Sequence, residues 1–219
     1  MDHAIPNHGQ AAFNRGNLAL YDMAVLHLIC RFAWGCPNGR ILQAYREHAS
    51  TNHLDVGVGT GYFLDHAQFP SATPRIALLD LNADCLAVTA RRIARYRPEV
   101  YQANLLEPIA ARMPAFDSIG MNYVLHCLPG GFPAKGRAIG HLAALLNPGG
   151  VLFGATLLQE GVPRNALARV LMRRFNADHT LHNDGDSLEG LRAALEAHLR
   201  GVRIEIVGSV ALFSGRKAD

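Results

Sequence analysis

The stretch LDVGVGTGYF, residues 54–63, decides the fold of this chain. It begins in an apolar run typical of a buried strand and then places glycines at positions 57, 59 and 61. Glycine adopts the positive φ angles of a tight turn and lets backbone N–H groups approach a ligand closely. Since ligands of doubly wound α/β sheets bind beyond the carboxyl ends of the strands, we expect a strand, a ligand-holding turn and a helix in this order.

Apolar strand-like segments alternate with helical segments after this turn. Such alternation predicts right-handed βαβ crossovers and a parallel sheet covered by helices on both faces. The last two segments are separated by little more than a Gly-Ser turn, so they must be antiparallel neighbours. We therefore predict a Rossmann-like, doubly wound α/β fold with a mostly parallel, seven-stranded sheet and an antiparallel last strand. The predicted strands are 53–57, 75–81, 99–105, 116–126 (running on into a loop), 151–158, 202–208 and 210–215.

Helical periodicity marks the connecting segments and both flanks. Residues 18–34 repeat apolar side chains at helical spacing, and Pro163 stands in the first turn of a helix predicted over 163–175. Asp186 and Glu189 have capping-box spacing before a further helix that runs through Leu199. The other predicted helices are 39–48, 60–68, 83–97 and 135–147.

Composition and charge narrow the function classes. The chain has 219 residues and a formal net charge of +3, without the basic tail typical of a nucleic-acid-binding arm. Its four cysteines form no C-x-x-C pair, so neither a zinc site nor a thioredoxin motif is expected. The N-terminus lacks a signal-peptide pattern, and the apolar stretch 18–34 is too short and too interrupted to span a bilayer comfortably. We expect a cytoplasmic monomer or homodimer with a small-molecule substrate and without a metal, nucleic-acid or membrane partner.

The spacing of the glycines narrows the ligand. A dinucleotide fingerprint would place its third glycine at position 62, where this chain has Tyr62, and a phosphate-binding P-loop would need Gly-Lys-Ser/Thr, which is absent. Asp80 ends the second predicted strand about 20 residues beyond the glycines, where an acid accepts hydrogen bonds from ribose hydroxyls. The ligand therefore contains a ribose but need not contain a pyrophosphate.

Five segments in order resemble the motif series of class I S-adenosylmethionine (SAM)-dependent methyltransferases. They are LDVGVGTG, ALLDLN, QANLLEP, FDSIGMNYVLHCLPG and LLNPGGVLF. The likeness covers roughly residues 38–158, the terminal strand pair matches the family's last two strands, and small bacterial and fungal members with small-molecule substrates are most similar. It implies a SAM-dependent methyltransferase whose product is S-adenosylhomocysteine (SAH), acting on oxygen in a hydroxyl or carboxylate.

The pattern of elements and the resemblance together predict one domain, 1–219, in four parts. Residues 1–37 would form an N-terminal arm and a lid helix, and 38–158 the SAM-binding core. Residues 159–200 would be an inserted helical cap, and 201–219 the terminal strand pair.

Ten residues would bind the cofactor by their positions in the family's motifs. The glycines would wrap the methionine and ribose, while Asp55 would accept from the methionine ammonium, directly or through water. Asn104 would meet the adenine amino edge, because an Asn oxygen can accept the bond that an acid accepts in many members. The ten are Asp55, Gly57, Gly59, Gly61, Asp80 for the ribose, Leu81 on the adenine, Asn104, Leu105, and Asn122 and Tyr123 at the methionine end. MNYVLH lacks the Asn/Asp-Pro-Pro-Tyr motif of nucleobase amino-methylating members, so that substrate class is disfavoured.

Three residues are candidates for the acceptor side. His126 follows the fourth strand and would act as general base for a hydroxyl, or would only shape the substrate pocket. Tyr21 and His27 lie on the N-terminal helix and would contact the substrate, although Tyr21 also fits a core position. His179 and His182 have H-x-x-H spacing but no third ligand nearby, so no metal is expected.

Two other functions stay open at this point. A SAM-binding protein of the same fold would have a non-methylating role, and an NAD-dependent oxidoreductase would use the glycine turn for a dinucleotide. Tyr62 argues against the second.

Overall fold

The structure, a computed structural model, describes residues 22–109 and 113–218, with the side chains of residues 22–27 excepted. Within these ranges the strands form one seven-stranded sheet in the order β3-β2-β1-β4-β5-β7-β6. The strands are β1 Asn52–Val56, β2 Arg75–Asp80, β3 Glu99–Gln102, β4 Phe116–Asn122, β5 Leu146–Leu157, β6 Arg200–Val207 and β7 Val210–Arg216. The helices are α1 Asp22–Ala33, α2 Asn38–His48, α3 Tyr62–His66, α4 Ala83–Arg92, α5 Phe132–Ala144, α6 Ala166–Ala177 and α7 Leu188–Glu196, with single 3₁₀ turns at Ala94–Tyr96 and Leu125–Cys127.

The sheet confirms the predicted doubly wound topology. β1 pairs in parallel with β2 on one side and β4 on the other, and β7 runs antiparallel to both β5 and β6. In register, Val56 lies opposite Leu79 of β2 and Met121 of β4. The loops that follow β1, β2 and β4 therefore open at one edge, at the point where the strand order reverses, which is where such sheets bind ligands.

Alternation along β1 divides the core into two layers. Leu54 and Val56 pack with Leu142 of α5 and Leu195 of α7 on one face of the sheet. The other face of β1 carries His53 and Asp55, and on that side of the sheet α2 contributes Tyr45 to the second apolar cluster. Two polar residues of β1 thus face a helix that precedes the glycine turn.

The two helices after β5 begin differently from the prediction. α6 begins at Ala166, not in the turn of Pro163, because the Asn165 side chain accepts from Ala168 N and caps the helix at that point. α7 is capped by Ser187, whose hydroxyl accepts from Gly190 N. Asp186 is instead fully buried in an ion pair with Lys135 Nζ, 2.5 Å away.

Other boundaries shift by a few residues. α1, the helix predicted over 18–34, is a π-helix. Residues 18–21 of that prediction lie outside the described ranges. β3 ends at Gln102 instead of 105. Two helices lie in the segment 159–200, which was expected to be a cap. α7 belongs to the apolar layer with α5, while α6 packs near α1. The division of the domain at residues 159 and 200 stays a prediction. None of the helices within 22–109 and 113–218 is long and apolar enough to cross a membrane.

Candidate functional site

The glycine turn, the end of β2 and the loop after β4 form one site at the carboxyl edge of the sheet. Gly57 N donates to Leu79 O at 2.8 Å, which ties the turn to β2. Thr89 Oγ1 of α4 donates to Gly59 O at 3.1 Å, which ties it to the following helix. The turn is thus fixed by its neighbours in the described structure.

The three glycines are required for two different reasons. Gly57 and Gly61 have φ angles of +67° and +75°, and a Cβ there would lie 2.2 Å from Val124 Cγ2 and 2.9 Å from Thr89 Cγ2, respectively. Gly59 has a φ of +52°, but nothing lies within 4 Å of the position its Cβ would take. Packing within the protein explains the first two glycines, whereas Gly59 borders open space.

Asp80 lies against this turn. Its Oδ1 accepts from Asn82 N at 2.8 Å, and the backbone amides of Val58 and Gly59 also bond to the carboxylate. Burial raises the pKa of Asp80, while these amides oppose the rise. Leu81 follows with 39% of its surface exposed, which is unusual for a large apolar side chain in this protein. A carboxylate beside an open apolar side chain fits a ribose joined to a flat base.

Asp55 lies deeper, at the end of β1, with 5% of its surface exposed. Its Oδ2 accepts a hydrogen bond from the Tyr45 hydroxyl and lies 3.5 Å from His53 Nε2. Among the described residues no lysine or arginine pairs with it. A buried carboxylate without a cationic partner fits a ligand that brings a positive charge.

Asn122 ends β4 next to this carboxylate's strand. The residue is 9% exposed, and both its Oδ1 and Nδ2 are buried. Neither atom makes a hydrogen bond of normal geometry in the described part of the chain, although the amide interacts with the Tyr45 hydroxyl. An unpaired buried amide costs about 1–3 kcal/mol. A polar ligand at the end of β4 would satisfy it, so the structure fits the predicted role of Asn122.

The other predicted cofactor residues are constrained in ways that the sequence did not reveal. Tyr123 has a φ of +59°, an uncommon value for a non-glycine residue, and its hydroxyl interacts with the thiols of Cys30 and Cys36; burial is the main cause of its raised pKa. Asn104 Oδ1 already accepts from the backbone N–H of residue 106 at 3.0 Å, so one lone pair is left for a ligand. Leu105 is buried in the core, so a contact with an adenine would have to come from its backbone.

The structure argues against His126 as a general base. The residue is 4% exposed, and its Nδ1 accepts from Leu157 N at 3.1 Å. With Nδ1 accepting, the neutral ring carries its proton on Nε2 and can only donate there. Burial, helped by the charge of Lys135, lowers the pKa of His126 to about 3. The general-base prediction is therefore at odds with the local chemistry, because the sequence placed the residue after β4 but could not show that its side chain is buried with Nδ1 occupied.

The structure says less about the other candidate residues for substrate or metal binding. Tyr21 and the side chain of His27 lie outside the described residues. The rings of His179 and His182 stack with centroids 5.8 Å apart. Within the described ranges no group of three His, Cys, Asp or Glu residues is placed to hold a metal ion.

Sequence reasoning missed three residues of the site: Tyr45, His53 and Ser118. One signal was present, since His53 and Asp55 are two apart on a strand and must share a face. Nothing in the sequence indicated that Tyr45 of α2 and Ser118 of β4 would meet them there.

The comparisons with known proteins agree with this geometry. A family described as a methyltransferase domain matches residues 54–152. The demethylluteothin O-methyltransferase of Streptomyces thioluteus is 41% identical, over 100% of this chain and 96% of its own. The chain belongs to the class I SAM-dependent methyltransferases.

Two further comparisons extend this result. The physcion biosynthesis cluster O-methyltransferase of Aspergillus chevalieri is 34% identical to this methyltransferase, over 95% of both chains. The solved structure of the DhpI–SAH complex has a TM-score of 0.68 and 15% identity, over 100% of this chain and 99% of that one, and shows the shared fold. The predicted fold, family and cofactor class are confirmed, and an NAD-dependent oxidoreductase is not supported.

Proposed function

We propose that this methyltransferase transfers the methyl group of SAM to an oxygen atom of a small molecule. The observation that carries the proposal is the 41% identity, over the whole chain, to an enzyme whose name specifies O-methylation. This similarity covers the whole chain, so it extends beyond the cofactor motifs to the N-terminal helix and the segment 159–200, which would build the acceptor side.

The cofactor would be held by residues that the structure brings to one edge. Asp80 would accept from the ribose hydroxyls, Leu81 would pack on the adenine, and the chain at Gly59 would border the cofactor. Asp55 and Asn122 would hold the polar methionine end. The bound cofactor supplies a methyl group activated by a sulfonium, so the protein's part is to orient the acceptor and exclude water.

The state of His126 supports an acceptor that needs little help in losing its proton. Its Nδ1 is occupied by Leu157 N, and its low pKa makes the imidazole a poor proton acceptor. A carboxylate, or a hydroxyl acidic enough to ionise near neutral pH, arrives as a nucleophile without a base. We therefore propose acidic hydroxyls and carboxylates as the acceptor class, with His126 shaping the pocket wall.

A labelled-methyl screen tests the proposal. The purified enzyme would be incubated with methyl-labelled SAM and matched sets of acidic phenols or enols, carboxylic acids and amines, and the methylated atom of any product would be identified by NMR. We expect label on oxygen, with the most acidic hydroxyls or the carboxylic acids favoured. Products labelled only on nitrogen would refute O-methylation, and tight SAH binding without turnover of any acceptor would favour the SAM-binding, non-methylating alternative.

A further inference from the structure

A chain of buried polar side chains runs behind the glycine turn and ends on Asp55. The hydroxyl of Tyr45 donates to Asp55 Oδ2, and His53 Nε2 lies 3.5 Å from the same oxygen. On the far side of the imidazole, His53 Nδ1 lies 2.8 Å from Ser118 Oγ. All four side chains are buried. The chain thus joins α2, β1 and β4 inside the core.

The hydrogen bonds of this chain can all point toward the carboxylate. Ser50 N donates to Ser118 Oγ at 2.8 Å, so the Ser118 hydroxyl proton can go to His53 Nδ1. With Nδ1 accepting, the neutral ring carries its proton on Nε2, which faces Asp55. Donors that meet one carboxylate oxygen from two elements hold the group in a single orientation.

Neighbouring residues pack closely around the Asp55 carboxylate, the His53 ring and the Tyr45 ring. A Cβ at Gly120 of β4 would lie 3.2 Å from Asp55 Oδ2 and 3.3 Å from His53 Nε2, tighter than ordinary van der Waals contact, so these groups would have to shift by a few tenths of an ångström to admit it. The Tyr45 ring is itself fixed between aromatic neighbours, with centroids 5.2 Å from Phe153 and 6.4 Å from Phe63. Tyr45 can therefore present its hydroxyl in one place only.

We propose that Tyr45 is a positioning residue of the cofactor site: with His53, it holds Oδ2 of Asp55 so that Oδ1 faces the cationic ammonium of the cofactor's methionine part. This inference rests on the proposed function, in which Asp55 receives that ammonium. The contacts of Asp55 with Tyr45 and His53 both use Oδ2, and neither uses Oδ1. The buried carboxylate thus selects ligands that carry a positively charged amino group.

The test compares two ligands that differ in that group. SAH carries the ammonium, whereas 5′-methylthioadenosine keeps the adenine, ribose and sulfur but lacks the ammonium and its carboxylate. Tyr45→Phe retains the ring packing and removes only the hydroxyl. We expect the variant to bind SAH about tenfold more weakly by calorimetry, the scale of a lost bond to a charged group, and to bind 5′-methylthioadenosine as the wild type does.

Tyr101→Phe is the matched control. It removes a tyrosine hydroxyl that donates to a carboxylate, Glu99 Oε2, at 2.7 Å in β3 and away from Asp55. Both affinities should stay at the wild-type value. In an Asp55→Asn background, Tyr45→Phe should have no further effect on SAH, because Tyr45 acts through that carboxylate.

The outcomes separate the inference from the proposed function. A wild-type protein that binds both ligands, with a Tyr45→Phe variant that weakens both equally or neither, overturns the positioning role alone. A wild type that binds neither ligand overturns the proposed function and this role with it. Should Tyr45→Phe fail to fold, Ser118→Ala removes the hydrogen bond to His53 at the other end of this series of polar side chains. A selective loss of SAH affinity of about threefold supports the inference. An unselective or absent loss refutes it.

Discussion

Gly57 and Gly59 stand two residues apart in the same turn, yet alanine at the two positions should fail in different ways. Both have positive φ angles, +67° and +52°, at which an added Cβ costs about 1–2 kcal/mol. At position 57 the new Cβ would also lie 2.2 Å from Val124 Cγ2, and overpacking of this kind adds about 1–3 kcal/mol. We expect Gly57→Ala to lower the free energy of unfolding by about 2–5 kcal/mol and Gly59→Ala by about 1–2 kcal/mol.

For cofactor binding, the direct effect should be larger for Gly59→Ala than for Gly57→Ala. The Cβ of Gly59→Ala would enter the open space that borders the turn, where nothing in the described structure lies within 4 Å. A steric conflict with the cofactor of only about 1.4 kcal/mol lowers affinity tenfold. We therefore expect Gly59→Ala to remain folded and to bind SAH at least about tenfold more weakly than the wild type.

Urea unfolding and calorimetry with SAH measure the two effects separately. Val124→Ala in the Gly57→Ala background provides the control, because it removes the atom that the new Cβ would strike; a coupling of at least about 1 kcal/mol between the two changes is expected. Wild-type SAH affinity in Gly59→Ala would show that the space beside Gly59 is not occupied by the cofactor. Equal stabilities of the two glycine variants would show that the contact with Val124 is easily relieved.

Three further predictions concern buried charges and polar groups. Asp80→Ala should weaken SAH binding by at least about tenfold in calorimetry through lost bonds to the ribose, and unchanged affinity would contradict the ribose role. Lys135→Met should lower the free energy of unfolding by about 3–5 kcal/mol, because it leaves Asp186 charged and unpaired in the core; a further Asp186→Leu change should recover part of the loss. Since the pKa of His126 in the folded protein is about 3, below the unfolded value of about 6.5, the unfolded state binds more protons between these values. Stability should therefore fall as the pH drops from about 6.5 toward 3, by up to about 1.4 kcal/mol per pH unit from this residue, and less steeply in His126→Gln when the two are compared by urea unfolding at pH 7 and pH 5.

The fold was predictable because its signals are local. The glycine turn, the acid at position 80 and the alternation of apolar strands with helices depend only on nearby sequence, and β1, β2 and β4 lie where these signals place them. Helix starts were less predictable, since several residues can cap. Pro163 and Asp186 both have suitable chemistry, but Asn165 and Ser187 make the bonds.

The chemistry of the site was less predictable because it depends on contacts between distant segments. The sequence places His126 after β4, but its pKa is set by burial and by Lys135, which lies on another helix. Likewise, the partner of Asp55 is Tyr45 on α2, and Ser118 reaches His53 from β4. Neither pairing leaves a periodic pattern in the sequence, because each is a tertiary contact made once.

One side chain joins the end of α1 to the start of α6. Asn165 caps α6 with its Oδ1, and its Nδ2 donates to the carbonyl oxygens of Phe32 at 2.9 Å and Ala33 at 3.0 Å. These carbonyls belong to the last turn of α1, where the helix itself offers no donor. The two helices are therefore one unit for protein engineering. A chimaera that takes its first helix from a relative in order to change acceptor preference should take the residue at position 165 and the following helix from the same parent.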